Sequence, residues 1–436
     1  MIIRGGTVVT ARGVETADIA IAGSQIVAVG LNLAGDSDEI DASGLHVFPG
    51  GIDSHVHFNE PGRTEWEDIA HGSAALAAGG YTTFIDMPLN NLPVTTTVEA
   101  FDLKLEAMKR SSKVDFGLWG GLVPGNIDQL EPLIRRGVMG FKAFMCPSGI
   151  DEFPASDPIT LRNGMKRIAD LGSILLVHAE DPARLLMPRG TGALDFVHSR
   201  PPSAERAAIA QAIELSDATG CRLHVVHVST AWGMRLIREA QQNGLDVSGE
   251  TCPHYLLYGE LDLERLGGAG KCAPPFRTAS DREALWTADV IVSDHSPCTL
   301  DLKAGDDFTR IWGGISGCQS TLQLLLANDR LDLPKVAAVT STNIARRFGI
   351  AGKGDIASAH DADLWIVDLK SEDVVRREGL LYRNAFSAHE GQRIRGRTVK
   401  TLVGGGDPGS GRFIRPERHS GQPARGSSQG GTGTRS

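Results

Sequence analysis

A chain of 436 residues, 41% hydrophobic and 22% charged, excludes both a single small module and global disorder. Acidic residues outnumber basic ones, 53 to 44, for a formal net charge of −9, and no long basic run offsets them, so nucleic acid is not an expected partner. No apolar stretch reaches the roughly 18 residues of a membrane span, the N-terminus lacks a signal-peptide pattern, and six scattered cysteines form no Cys-x-x-Cys pair; a cytoplasmic chain in a reducing compartment, away from membranes, is expected.

Residues 1–45 read as short strands, Ile2–Thr10, Ile19–Ala22, Gln25–Val29 and Glu39–Asp41, divided by Gly, Asp and Asn turns. From His46 the texture changes. Eight apolar runs follow: Val47–His57, Tyr81–Met87, Val114–Leu122, Gly140–Met145, Ile174–His178, Arg222–Val228, Asp246–Thr251 and Val290–Asp294. Helical patterns lie between or after them at Glu67–Ala78, Val98–Lys109, Ala204–Ala218, Trp232–Gln242 and Pro334–Phe348. That alternation predicts an α/β fold, a (β/α)8 TIM-like barrel over residues 46–349. Strand texture returns at Ala362–Val367, Gln392–Ile394 and Val399–Val403, so residues 1–45 and 350–403 are expected to form one small, discontinuous β-sandwich domain. Residues 404–436, rich in Gly, Ser, Arg and Pro, are expected to be a mobile tail.

Chemistry concentrates at the ends of these runs. In Asp53-Ser54-His55-Val56-His57, the spacing of two residues puts both imidazoles on one face of a strand, a natural half-site for a borderline metal such as zinc. His178, His227 and Asp294 end the fifth, sixth and eighth runs. The C-terminal ends of barrel strands share one face, so four histidines and one aspartate converge there, which packing alone does not explain. Lys142 lies inside the apolar run Phe141-Lys142-Ala143-Phe144. Spacing alone favours an ion-paired lysine; the alternative is an amine kept neutral by burial, able to add carbon dioxide and become a carbamate. Next to these residues, His224 and His295 are expected to face away from the mouth, while His254 could reach its rim. Arg63, Glu65 and Glu67 read as ion pairs fixing the loop after His57.

The opening Ile-Arg-Gly-Gly-Thr-Val-Val, the ligand-type residues at 55, 57, 142, 178, 227 and 294, and Asp361-Ala362-Asp363-Leu364-Trp365-Ile366-Val367 together resemble the cyclic amidohydrolases of the amidohydrolase superfamily. The likeness runs from residue 1 to about 405. It implies two divalent metal ions, most often zinc: His55, His57 and Asp294 on one, His178 and His227 on the other, and Lys142 as N6-carboxylysine bridging both. Dihydroorotases of that family usually carry an arginine at the position of Asn59, and hydantoinases a tyrosine at that of Pro147. Segments 57–67, 141–154, 293–298 and 312–317 look instead like the allantoinase group.

The implied reaction is hydrolytic opening of the hydantoin ring of allantoin to allantoate, a step of purine breakdown. The metal pair would lower the pKa of a bridging water, and Asp294 would act as general base, then acid. Asn90, Ser316 and Gly317, with the backbone around Cys272–Pro275, are candidate contacts to the uncharged ring. Homo-oligomers, tetramers above all, are implied by the same likeness. The rival readings are hydantoinase, dihydropyrimidinase or dihydroorotase activity on another cyclic amide, and, from a different class, a non-catalytic scaffold; such scaffolds typically lose metal ligands, and here all six positions are filled.

Overall fold

The computed structural model of the chain describes residues 1–35 and 38–417. Seven strands form one sheet, built from Ile2–Thr10, Gly13–Ala22, Gln25–Gly30, Glu39–Asp41, His46–Pro49, Leu364–Val374 and Arg393–Leu402. Ile3, Val8, Ile19, Ile26, Val47, Leu364 and Ile366 fill its own small core. The expected sandwich takes the form of a single hydrogen-bonded sheet bent over that core, with Gln25 bridged back to Asp361 near the opposite edge.

The run Val47–His57 divides between two sheets. His46–Pro49 pairs with Thr7–Val8 and with Leu364–Val367, so it belongs to the small sheet and the barrel begins at Gly51 rather than residue 46. Hydropathy does not mark this change, because both halves are buried. Gly50 allows it: a Cβ there would lie 2.2 Å from Thr82 Oγ1.

The barrel strands are Gly51–Val56, Tyr81–Asp86, Asp115–Leu118 continued by Gly120–Gly121, Phe141–Phe144, Ile174–His178, Arg222–Val225 and Val247–Gly249, all parallel to their neighbours. They are buried almost throughout, as strands covered by helices on one side and packed inward on the other must be. The eighth position, 290–295, closes the ring through two isolated parallel bridges, Thr251 to Ile291 and Val56 to His295. A regular strand fails here because the Ser293 amide donates to the carboxylate of Asp53, 3.3 Å away. Helices pack outside. The longest, Pro202–Thr219, starts at a proline and ends at Gly220, whose φ of 68° is the left-handed stop that glycine favours.

The mobile tail expected from residue 404 is overturned over residues 404–417. Phe116 donates its amide to Arg412 O, Ile414 donates to Phe116 O, and Phe413 packs 5.8 Å from the Phe116 ring and 6.0 Å from Phe101. Backbone amides of Gly409, Gly411 and Glu417 and the Arg412 pair with Asp115 add to this docking, in a segment whose overall composition reads as disordered. The rest of the expected tail, 418–436, lies outside the described residues.

Candidate active site

Strand-end residues meet at the C-terminal face of the barrel, as parallel strands require. His55 Nε2 lies 3.2 Å and His57 Nε2 3.5 Å from the same Asp294 Oδ1. Across the mouth, His178 Nδ1 faces His227 Nε2 at 3.1 Å. The ring centroids of His55 and His227 are 5.5 Å apart and join the two groups. His227 at φ 38° and Asp294 at φ 47° hold left-handed backbone, as does Asn90 at φ 76°. Non-glycine residues take up that conformation where surrounding structure imposes it, commonly at functional sites.

Burial sets the protonation of the cluster. It pushes the pKa values of His57, His178 and His227 below the ordinary imidazole range, His227 furthest because His178 and Lys142 add to the effect. Neutral rings offer lone pairs. Burial opposes ionisation of Asp294, but His55, His57 and His227 outweigh it and hold that carboxyl well below the usual carboxylate range. Burial also brings Lys142 down to about 7. Its Nζ is buried with no hydrogen-bond partner among the described residues, so the ion pair favoured by spacing alone is not formed.

Behind the histidines stand residues that sequence reading missed. Glu250 Oε1 accepts from His55 Nδ1 at 2.5 Å, and Glu180 Oε2 accepts from His178 Nε2 at 2.7 Å. With those nitrogens donating, His55 Nε2 and His178 Nδ1 are left as acceptors pointing into the cluster. His224 does not stand apart as expected: its Nε2 lies 3.0 Å from Glu250 Oε2 and its Nδ1 2.7 Å from Ser248 Oγ, so it steadies the carboxylate that holds His55. A buried carboxylate at a strand end, two residues after His178 in one case, was the available signal.

The other predicted residues divide. Asn90 is buried with its amide 3.4 Å from His57 Nδ1, so it reaches the cluster. Ser316 Oγ is buried without a partner among the described residues, and its carbonyl accepts from Ser387 Oγ. Gly317 donates its amide to His295 Nδ1 at 3.2 Å, and its carbonyl accepts from Thr321 Oγ1 at 3.1 Å. In the Cys272–Pro275 stretch, the Pro274 carbonyl accepts from Tyr255 OH at 2.6 Å. His295 faces away, as expected, 3.4 Å from Glu67. Arg63 donates to Asn90 O at 3.2 Å and pairs with Glu152 at 3.5 Å, while Asn59 Nδ2 donates to Pro297 O at 3.4 Å. His254 is buried, close to Asp294 and Cys252, with neither ring nitrogen partnered among the described residues. A cleft of about 500 Å³ lies among helices, and one of about 630 Å³ reaches Ser248 behind His224, but neither is lined by His55, His57, His178, His227 or Asp294; convergent chemistry, not volume, locates the site.

Residues 46–406 match the profile of the amidohydrolase family. The chain belongs to that family, whose members are metal-dependent hydrolases. An allantoinase of Rubrobacter xylanophilus is 49% identical over 97% of this chain and 99% of its own length. One from Solibacter usitatus is 47% identical over 93% and 92%. Among solved structures, L-hydantoinase (dihydropyrimidinase) from Arthrobacter aurescens superposes with a TM-score of 0.91 at 31% identity, covering 95% of this chain and 99% of that one. The dihydropyrimidinase of Brevibacillus agri gives 0.88 at 29% identity, covering 96% and 99%. The chain is accordingly a hydrolase acting on a cyclic amide, with a small molecule as substrate.

Proposed function

We propose that the protein opens the hydantoin ring of allantoin to give allantoate. The observation that carries the class of reaction is the convergence of His55, His57 and Asp294 opposite His178 and His227, with Lys142 beside them. The choice of substrate rests on the relatives, named allantoinases, and on Asn59, which ties Pro297 and offers no cation to a substrate carboxylate.

His55, His57 and Asp294 are assigned to one divalent ion and His178 and His227 to a second, with Lys142 shared. Two observations favour this set: the ring nitrogens of His178 and His227 that face each other across 3.1 Å, and the Lys142 Nζ left without a hydrogen-bond partner among the described residues. A neutral amine there adds carbon dioxide with loss of one proton, leaving a carbamate with two oxygen donors. Zinc suits imidazole and carboxylate donors best. Bound there, the ions would polarise the ring carbonyl and lower the pKa of water at the site.

The remaining steps fall to the chain. Asp294, held ionised, accepts a proton from the attacking water as the C–O bond forms. It then delivers that proton to the departing ring nitrogen as the C–N bond breaks, leaving a ureido group and a carboxyl group that releases the water's second proton to solvent. Asn90 and Ser316 are assigned to the ring's carbonyl and N–H groups.

The six cysteines are all buried and unpaired, which supports a cytoplasmic location, and among the described residues no helix is long and apolar enough to cross a membrane. A homotetramer follows the family likeness and is tested by light scattering. The deciding assay compares ring opening of allantoin, hydantoin and dihydroorotate by zinc- and bicarbonate-treated protein. Preference for allantoin upholds the reading; turnover of hydantoin or dihydroorotate alone overturns the substrate but keeps the chemistry.

A further inference from the structure

The two carboxylates behind the histidines are not equivalent. Glu250 is fully buried, accepts from His55 Nδ1 at 2.5 Å and His224 Nε2 at 3.0 Å, and pairs with no lysine or arginine among the described residues. Glu180 is equally buried but meets Arg200 through Nε at 3.1 Å and Nη2 at 2.5 Å, in addition to His178. Around His55 and His57 stand Asp294, Glu250 and Asp53, whose carboxyl accepts the His55 amide at 3.2 Å, none of them met by a lysine or arginine among the described residues, and Asp86, which Lys104 meets at 2.9 Å. Around His178 and His227 stand Glu180 and Arg200, whose charges cancel. A carbamate on Lys142 would be shared and leave this difference intact.

We propose that Glu250 and Glu180 are positioning residues, each orienting one metal-facing histidine, and that the uncompensated charge of Glu250 makes the His55–His57–Asp294 half-site bind its divalent ion more tightly than the His178–His227 half-site. The inference rests on the two-ion reading above. The physical cause is plain: a cation gains more from a site with surplus negative charge, and Arg200 removes that surplus from the second site. Removing a carboxylate that orients a metal-bound histidine costs about 10–100-fold in metal affinity.

The test uses the full chain loaded with zinc in bicarbonate, with zinc withdrawn by a competing chelator and bound metal counted per chain. The native chain should release its ions in two steps about tenfold or more apart. Glu250→Gln should weaken the tighter step by about 10–100-fold and leave the weaker one in place. Arg200→Met leaves Glu180 uncompensated and should tighten the weaker step, a gain that misfolding cannot imitate. In the metal-free protein, ring-nitrogen NMR should find the proton on Nδ1 of His55 and on Nε2 of His178. Coincident steps, or a tighter step unmoved by Glu250→Gln, overturn the inference while sparing the two-ion reading. Fewer than two zinc ions on the native chain overturn both.

Discussion

Lys142 Nζ stands 5.0 Å from the centre of the Phe144 ring and has no hydrogen-bond partner among the described residues. An ammonium kept there without a carboxylate is costly, so the amine sheds its proton near pH 7. Because the neutral amine is the form that adds carbon dioxide, modification should rise as pH climbs from 6 to 8. Native mass spectrometry in bicarbonate would show the mass of one carbon dioxide gained, and Lys142→Arg should abolish both that gain and most zinc uptake. Equal zinc content in the variant would remove Lys142 from the site.

Asp294→Asn keeps the shape of the side chain and removes its basicity. The expected loss in kcat is about 10²–10⁴-fold, the usual contribution of a positioned acid–base group. Steady-state kinetics on allantoin decide it. A rise in KM with kcat unchanged would reassign Asp294 to binding.

Glu67 makes stability depend on pH. Its carboxyl is buried, accepts the Arg383 amide at 3.0 Å, and burial raises it to about 8 from an ordinary value near 4.5. The folded chain therefore holds a proton that the unfolded chain has lost between those values. Stability from this group is present below pH 4.5 and is lost as pH rises toward 8. Urea midpoints for Glu67→Gln should fall less steeply over that window than those of the native chain. Parallel slopes would rule this out.

Phe413 should matter for stability and not for turnover. Half-buried against Phe101 and Phe116, it should cost about 1–3 kcal/mol when replaced by alanine, less than a fully enclosed phenylalanine. Calorimetry and the allantoin assay together separate the two effects. Lost activity with unchanged melting would tie this segment to the site instead.

The six site residues could be read from the sequence because each ends or interrupts an apolar run, where a polar side chain has no packing reason to be. Glu250 and Glu180 escaped because an acid after a strand also looks like an ordinary turn residue. What marks them is burial beside an imidazole, which only the closed barrel creates. The bond from the Gly317 amide to His295 could not be read, because a backbone amide leaves no trace of its partner in the sequence. The boundary after Pro49 escaped because one unbroken apolar stretch serves two sheets. Phe413 and Ile414 were outweighed by the Gly, Ser and Arg around them, although docking depends on a few contacts and not on average composition.

Asp115 opens the third barrel strand, yet its charge is met by residues that arrive late: Lys353 at 2.8 Å and Arg412 at 2.7 Å, with Asp361 and Asp363 on the same lysine. During synthesis the ribosome will have released most of the barrel before either cation emerges. Until then a buried aspartate at the base of the ring lacks its counter-charges, so the half-made enzyme has reason to stay loose there. Lys353 and Arg412 thus work as a latch, and a chain stopped short of residue 412 would leave the ribosome without its second half.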